Sequence, residues 1–204
     1  MGTLAVETIS GLLEPYLEGD GTAELYRRLS DYLDLLVKWN ARTNLTAIRG
    51  PEEIVRRHFG ESLFAGRQVG SSGSLLDFGS GAGFPGVPIQ LLRPEIAVTL
   101  AESQGKKAAF LREVVRTLGL PTTVWAERVE DMAEGACFAV VAMRAVDRME
   151  EAVAAARARI ALGGRLMVLT TDDRVPGAGR VIRIPNSQAG VVYCEDVPRG
   201  ADGI

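Results

Sequence analysis

Apolar residues recur at three- and four-residue spacing through Leu25, Leu29, Tyr32, Leu33, Leu36 and Trp39, which predicts one amphipathic helix over 23–40. Pro51 followed by Glu52 and Glu53 is a helix start: proline suits the first helical position, and carboxylates suit the positive end of the helix dipole. That helix is expected to reach about residue 65, with Val55, Phe59 and Leu63 on its apolar side. His58, Glu61 and Ser62 then share one polar stripe at i, i+3 and i+4. Residues 1–70 thus read as helical.

After Gly70-Ser71-Ser72-Gly73 the period changes. Short apolar runs predict strands at 74–78, 97–101, 122–126, 138–143 and 165–170, with helices between them at about 85–92, 106–118 and 148–161. That alternation implies an α/β fold with a mostly parallel, doubly wound sheet. Segments 180–184 and 191–195 flank Pro185-Asn186-Ser187-Gln188-Ala189-Gly190 and read as a C-terminal antiparallel hairpin. The expected organisation is a helical appendage (1–70) on a ligand-binding domain (71–204).

Composition narrows the function. At 204 residues, 47% hydrophobic and 24% charged, the chain is ordinary globular material. No apolar run approaches the roughly 18 residues of a membrane helix, and Glu7 without a basic start speaks against a secretory signal. Two cysteines, Cys137 and Cys194, fit a reducing cytoplasm rather than a disulfide scaffold. A single histidine, His58, excludes His-rich metal sites, so no metal is expected. The net charge of −3 argues against a strongly basic nucleic-acid coat, though not against a local basic patch.

The most informative motif is Leu75-Leu76-Asp77-Phe78-Gly79-Ser80-Gly81-Ala82-Gly83-Phe84-Pro85-Gly86. A buried strand ends near an acid, a glycine-rich turn follows, and a helix begins. Glycines at 79, 81 and 83 let a ligand approach the backbone, beyond the carboxyl end of the first strand where open α/β sheets bind ligands. Gly81-x-Gly83-x-x-Gly86 fits the dinucleotide pattern, but begins four residues after Asp77. Asp77-x-Gly79-x-Gly81-x-Gly83 starts at the strand end and resembles the first motif of S-adenosylmethionine (SAM)-dependent methyltransferases. Glu102 ends the second strand, 23 positions after Gly79, where a carboxylate can accept from both ribose hydroxyls. It serves NAD and SAM alike.

Further residues carry a resemblance. Lys38-Trp39-Asn40 with Asn44-Leu45-Thr46, Arg57-His58 with Glu61-Ser62, Gly79 to Gly86, Glu102 to Lys107, Phe110-Leu111, Arg128-Val129-Glu130 and Arg144-Ala145 stand in one order and spacing. Together they are similar to the bacterial small-subunit ribosomal RNA methyltransferase G family, also called glucose-inhibited division protein B. The match spans about residues 38–169. The resemblance implies a Rossmann-like class I SAM-dependent fold and methylation of N7 of one guanine in 16S ribosomal RNA, and a cytoplasmic monomer is expected. It places Gly79, Phe84, Val129, Glu130 and Arg144 at the cofactor, with Asp77, Gly81, Gly83 and Glu102 from the loop and strand ends. It puts Asn44, His58 and Arg144 around the entering guanine. Guanine N7 has an in-plane lone pair and no proton, so orientation is needed and a general base is not. Lys38, Arg42, Arg56 and Arg57 fall in a segment, 38–67, with three net positive charges, and Lys106 and Lys107 begin a second basic cluster; both are candidate phosphate contacts. The modest patch suggests recognition by shape and a pocketed base.

The chain departs from the family where a Lys-Gly pair usually follows the fifth strand: Leu169 is followed by Thr170-Thr171-Asp172-Asp173-Arg174. The expected basic C-terminal end is replaced by Glu195-Asp196 and Gly200 to Ile204. The alternatives are a methyltransferase for a small molecule, a non-catalytic ribosome-associated module and, more distantly, an NAD oxidoreductase.

Overall fold

The computed structural model describes residues 2–70, 73–144 and 149–198. Ser71, Ser72, Ala145, Arg148 and the tail from Gly200 to Ile204, which the sequence reading used, lie outside the described residues.

Two helices open the chain, α1 (Val6–Leu17) and α2 (Ala23–Thr43). Thr22 caps α2 by accepting from the Leu25 amide at 3.1 Å, as its short hydroxyl side chain favours. The apolar stripe of α2 is buried as its spacing requires, and Asn44 ends the helix in the left-handed region at φ 47°. The next helical stretch is interrupted. After α3 (Pro51–Glu53) comes a π-helical segment, Ile54–Gly60, and then α4 (Glu61–Gly66). This corrects the simple α-helix expected there. A π turn holds more than one extra half-residue per turn and rephases the side chains, and such turns cluster at functional sites. Gly60 has no Cβ because the Tyr16 ring occupies that space, with Cδ2 2.6 Å from where a Cβ would stand. The polar stripe is corrected too: Glu61 and Ser62 are buried, and the Ser62 hydroxyl donates to the His58 carbonyl at 2.6 Å.

The sheet comprises β1 (Ser74–Phe78), β2 (Ala97–Ala101), β3 (Thr123–Trp125), β4 (Phe138–Arg144), β5 (Ile160–Thr171), β6 (Arg180–Arg183) and β7 (Gly190–Asp196), in the order β3-β2-β1-β4-β5-β7-β6. The first five strands pair in parallel; β7 runs antiparallel to β5 and β6, as the hairpin pattern predicts. Helices α5 (Gly86–Leu92), α6 (Gly105–Leu118) and α7 (Met149–Arg157) connect the parallel strands. The alanine-rich segment differs from expectation. Its helix stops at Arg157, because Ile160 is buried and already pairs with Phe138 in the sheet.

One apolar cluster runs from Ile9, Leu33, Phe59 and Leu63 of the N-terminal helices into Leu75, Val98, Leu100 and Leu111 of the sheet and α6. The N-terminal helices are therefore packed into the core beside the sheet. Register aligns Phe78 with Ala101 on one side and Met143 on the other, so the carboxyl ends of β1, β2 and β4 form one edge.

Candidate functional site

The glycine turn lies at that edge. The Ser80 amide donates to the Ala101 carbonyl at 2.9 Å, tying the loop after β1 to β2, and the Glu102 amide to the Trp125 carbonyl at 3.0 Å, tying the end of β2 to β3. The Tyr32 hydroxyl, fully buried on α2, donates to the Ala82 carbonyl from the other side. The three glycines of the turn differ in what faces them. At Gly81 (φ 58°) a Cβ would meet nothing nearer than the Gly79 carbonyl at 3.9 Å. At Gly83 (φ 94°) it would meet the Tyr32 hydroxyl at 2.6 Å and Val87 at 2.8 Å. Gly79 also has positive φ, 70°. The open space thus lies over Gly81, while Gly83 faces the protein.

A cleft of about 370 Å³ occupies that space, lined by Gly79, Gly81, Phe84, Glu102, Lys107, His58 and Arg144 together with Leu45, Thr46 and neighbouring loop residues. Glu102 is nearly buried, and its carboxylate accepts from the Gly81 amide at 3.0 Å and the Gln104 amide at 2.7 Å. A carboxylate has about four acceptor sites, so room for two more donors remains. An open glycine cradle and a buried carboxylate with spare acceptors fit the ribose of an adenosine-bearing cofactor.

His58 stacks on Phe84, with ring centroids 4.6 Å apart, inside an aromatic group that includes Tyr32 and Phe59. Its Nε2 lies 2.7 Å from the Thr46 hydroxyl, while Nδ1 is buried without a partner among the described residues. Asn40, buried on α2, fixes Thr46 by accepting its amide at 3.0 Å. Arg144 ends β4, and its Nη2 donates to the Glu61 carboxylate at 2.6 Å; its Nη1 is buried without a partner among the described residues. Burial pulls Arg144 below the usual guanidinium value, and the Glu61 charge opposes this. Arg144 also lines a second cleft, of about 780 Å³, walled by the π segment, the end of β5 and the β6–β7 turn.

Several expected residues lie elsewhere. Asp77 is fully buried under α5, where its Oδ2 accepts from the Gly86 amide at 2.9 Å, so it holds the loop and does not line the cleft. Gly83 faces Tyr32. Val129 is buried in the apolar cluster with Leu76 and Ala101, and Glu130 is exposed and paired with Arg128 at 3.0 Å; neither lines the cleft. Asn44 is exposed at the end of α2, accepts from Arg49 at 2.9 Å and lines neither cleft. Lys38, Arg42 and Lys106 are exposed outside both clefts, whereas Arg56 and Arg57 line the larger one. Arg56 pairs with Glu52 at 3.1 Å. Glu61, Thr46 and Tyr32 are the residues of the site whose roles the sequence reading missed. Among the described residues no acidic, His or Cys cluster could hold a metal, and no helix is long and apolar enough to cross a membrane.

Two buried groups give a pH signature. Burial, with the nearby Arg144 and Arg57 charges, pushes His58 down to about 3 from 6.5. Burial pushes Asp77 up to about 7 from 3.8, against the Gly86 hydrogen bond. The lowered histidine contributes stability that is present above pH 6.5 and lost as pH falls toward 3. The raised carboxyl contributes stability that is present below pH 3.8 and lost as pH rises toward 7. The slopes oppose each other, at up to about 1.4 kcal/mol per pH unit each. Relative to the wild type, His58→Gln should lose stability as pH rises from 4 to 6.5, and Asp77→Asn should gain it. Urea unfolding at stepped pH checks this; parallel curves for both variants would contradict the burial assignment.

Comparison with known proteins identifies the family. Residues 25–174 match the family model described as rRNA small subunit methyltransferase G. A protein named ribosomal RNA small subunit methyltransferase G from Xanthomonas campestris pv. campestris (strain B100) is 42% identical over 161 residues, covering 78% of this chain and 74% of the relative. Its namesake from Chloroflexus aggregans is 38% identical over 181 residues, covering 84% and 75%. Among solved structures, the T. thermophilus 16S rRNA N2 G1207 methyltransferase RsmC, in complex with AdoMet and guanosine, superposes with a TM-score of 0.55 at 16% identity, covering 67% of this chain and 43% of that one. This last likeness shows the fold. The family match covers α2, the glycine turn, Glu102 and Arg144 alike, and the chain belongs to the rRNA small subunit methyltransferase G family.

Proposed function

We propose that this chain transfers the methyl group of S-adenosylmethionine to N7 of one guanine in 16S ribosomal RNA. In this reading it acts as a cytoplasmic monomer, with residues 1–70 as a helical appendage to a SAM-binding domain of residues 71–204. The observation that carries the reading is the meeting of three features in one cleft: the open Gly81 cradle, the buried Glu102 carboxylate and the Arg144 Nη1 donor, unpartnered among the described residues.

When bound, S-adenosylmethionine supplies a sulfonium-activated methyl group, which the N7 lone pair takes while the carbon–sulfur bonding pair stays on sulfur and no proton moves. The protein's task is then alignment. Glu102 accepts from the ribose hydroxyls, and Gly79 and Gly81 admit the cofactor to the backbone. Phe84 supplies an apolar wall backed by Tyr32 and Phe59. His58 is neutral at physiological pH and serves as a wall and hydrogen-bonding group rather than a base. Arg144 orients the substrate. Lys107 at the cleft and Arg56 and Arg57 at the larger one face phosphates, with Lys38, Arg42 and Lys106 as outlying contacts. Thr170, in place of the family's usual lysine, lines the larger cleft, so positive charge on that side comes from Arg56, Arg57, Arg144 and Arg174, set against Glu53 and Glu61.

Calorimetric titration should show micromolar binding of S-adenosylmethionine and none of NAD. Glu102→Ala should weaken that binding by about 1–3 kcal/mol, because it strands the ribose hydroxyls and two loop amides. Unchanged affinity would overturn the ribose assignment. With methyl-labelled cofactor, label should enter the RNA of small subunits that lack the modification. Binding without transfer to RNA would favour a small-molecule substrate, and no binding a non-catalytic module.

A further inference from the structure

Two clefts meet at one guanidinium. Arg144 lines both the 370 Å³ cleft over the glycine turn and the 780 Å³ cleft beside it, whereas Glu61 lines only the larger. The two side chains are 12% and 11% exposed. Their contact bridges 83 positions of sequence, from α4 to the end of β4. It engages Nη2 alone and leaves Nη1 unpartnered among the described residues. Arg57, more than half exposed, lies 3.8 Å from the other Glu61 oxygen, too far for a hydrogen bond.

Arginine ordinarily recognises guanine with two parallel donors, one to O6 and one to N7. Such a fork would bury the lone pair that must take the methyl group. We propose that the target guanine enters from the larger cleft and that Glu61 is a positioning residue: by holding Nη2 it restricts Arg144 to one hydrogen bond, from Nη1 to O6, and leaves N7 free. The inference rests on the function proposed above. Glu61 also balances charge. Methylation moves the positive charge from sulfur to the purine ring, beside Arg144, and a guanidinium without its carboxylate opposes that arrival. His58, which lines the smaller cleft beside Arg144, is uncharged and adds no repulsion, whereas Arg57, close to Glu61, adds positive charge that Glu61 also offsets.

Glu61→Gln keeps the shape and one acceptor but removes the charge; Glu61→Asp keeps the charge. At saturating cofactor and unmethylated small subunits, the single-turnover rate of Glu61→Gln should fall at least about tenfold. Its affinity for S-adenosylmethionine should stay within twofold of wild type and its KM for subunits should not rise. Glu61→Asp should recover part of the rate. A Glu61→Gln rate within threefold of wild type overturns the proposal. So does a rate that, measured below the melting transition of the variant, falls only in step with its cofactor affinity. Subunits reconstituted with 2-aminopurine at the target, which keeps N7 and lacks O6, test the contact with unaltered protein. The wild-type rate should drop at least about tenfold on them, and an equal rate overturns the O6 contact. Wild-type protein that methylates no small subunit would overturn the proposed function itself, and this inference with it.

Discussion

Replacing Arg144 with glutamine should lower the methyl-transfer rate about 100-fold or more, the scale expected when a preorganised donor at the reacting centre is lost. The same change strands Glu61, a nearly buried carboxylate whose Oε2 accepts from Arg144 at 2.6 Å. Breaking one partner of a buried pair costs about 3–5 kcal/mol, which for a chain of this size lowers the melting temperature by roughly 10 °C. Arg144→Lys separates the two effects. It restores a positive charge near Glu61 and so recovers part of the stability. It should not recover the rate, because an ammonium lacks the planar donor set that reaches the carboxylate and the base together. Rates measured below the melting transition of each variant check this. A glutamine variant within threefold of wild type would remove Arg144 from the reaction.

Gly81 of the turn and Gly86 at the start of α5 should respond in opposite ways to a single methyl group. At Gly86 an alanine Cβ would stand 2.7 Å from Asp77 Oδ2 and 2.9 Å from Asp77 Cβ, against β1 itself. Helix α5 must then move away from β1, and the buried Asp77 carboxyl loses the amide it accepts from. Overpacking and an unsatisfied buried acceptor each cost about 1–3 kcal/mol, so Gly86→Ala should lower the melting temperature by roughly 10 °C. At Gly81 the Cβ meets open space, and only its left-handed backbone opposes alanine, by about 1 kcal/mol. Gly81→Ala should leave the fold nearly as stable yet weaken cofactor binding at least about tenfold, because the methyl group enters the cradle. Equal melting losses with unchanged cofactor affinity in both variants would contradict the assignment of the cleft.

The sheet was legible because its parallel strands are continuous apolar runs separated by glycine turns and amphipathic helices. Strands β1 and β2 stand where the pattern put them. The early start of β5 at Ile160 was hidden by alanines with high helix propensity, which tertiary pairing with Phe138 overrides. The π segment was hidden because its residues suit an α-helix equally well; the Tyr16 ring over Gly60 comes from a distant helix. The cleft was legible where its residues cluster in sequence, at Gly79, Gly81, Phe84 and Glu102. It was illegible where partners meet across the chain: Tyr32 on the Ala82 carbonyl, Thr46 on His58, Glu61 on Arg144. Glu61 left no trace: an α-helical period sets it opposite Phe59 and Leu63, and the π segment before it rephases the helix so that it is buried. Asp77 shows the converse: an acid in the right motif supports the loop from beneath because its strand is buried on both faces.

The most direct test of the account follows the methyl group to its atom. Small subunits lacking the modification would be incubated with purified protein and methyl-labelled S-adenosylmethionine, and their RNA digested to nucleosides. Label should appear in 7-methylguanosine alone, approaching one per 16S ribosomal RNA. Label in 1-methyl- or N2-methylguanosine, or none in RNA, would contradict the account.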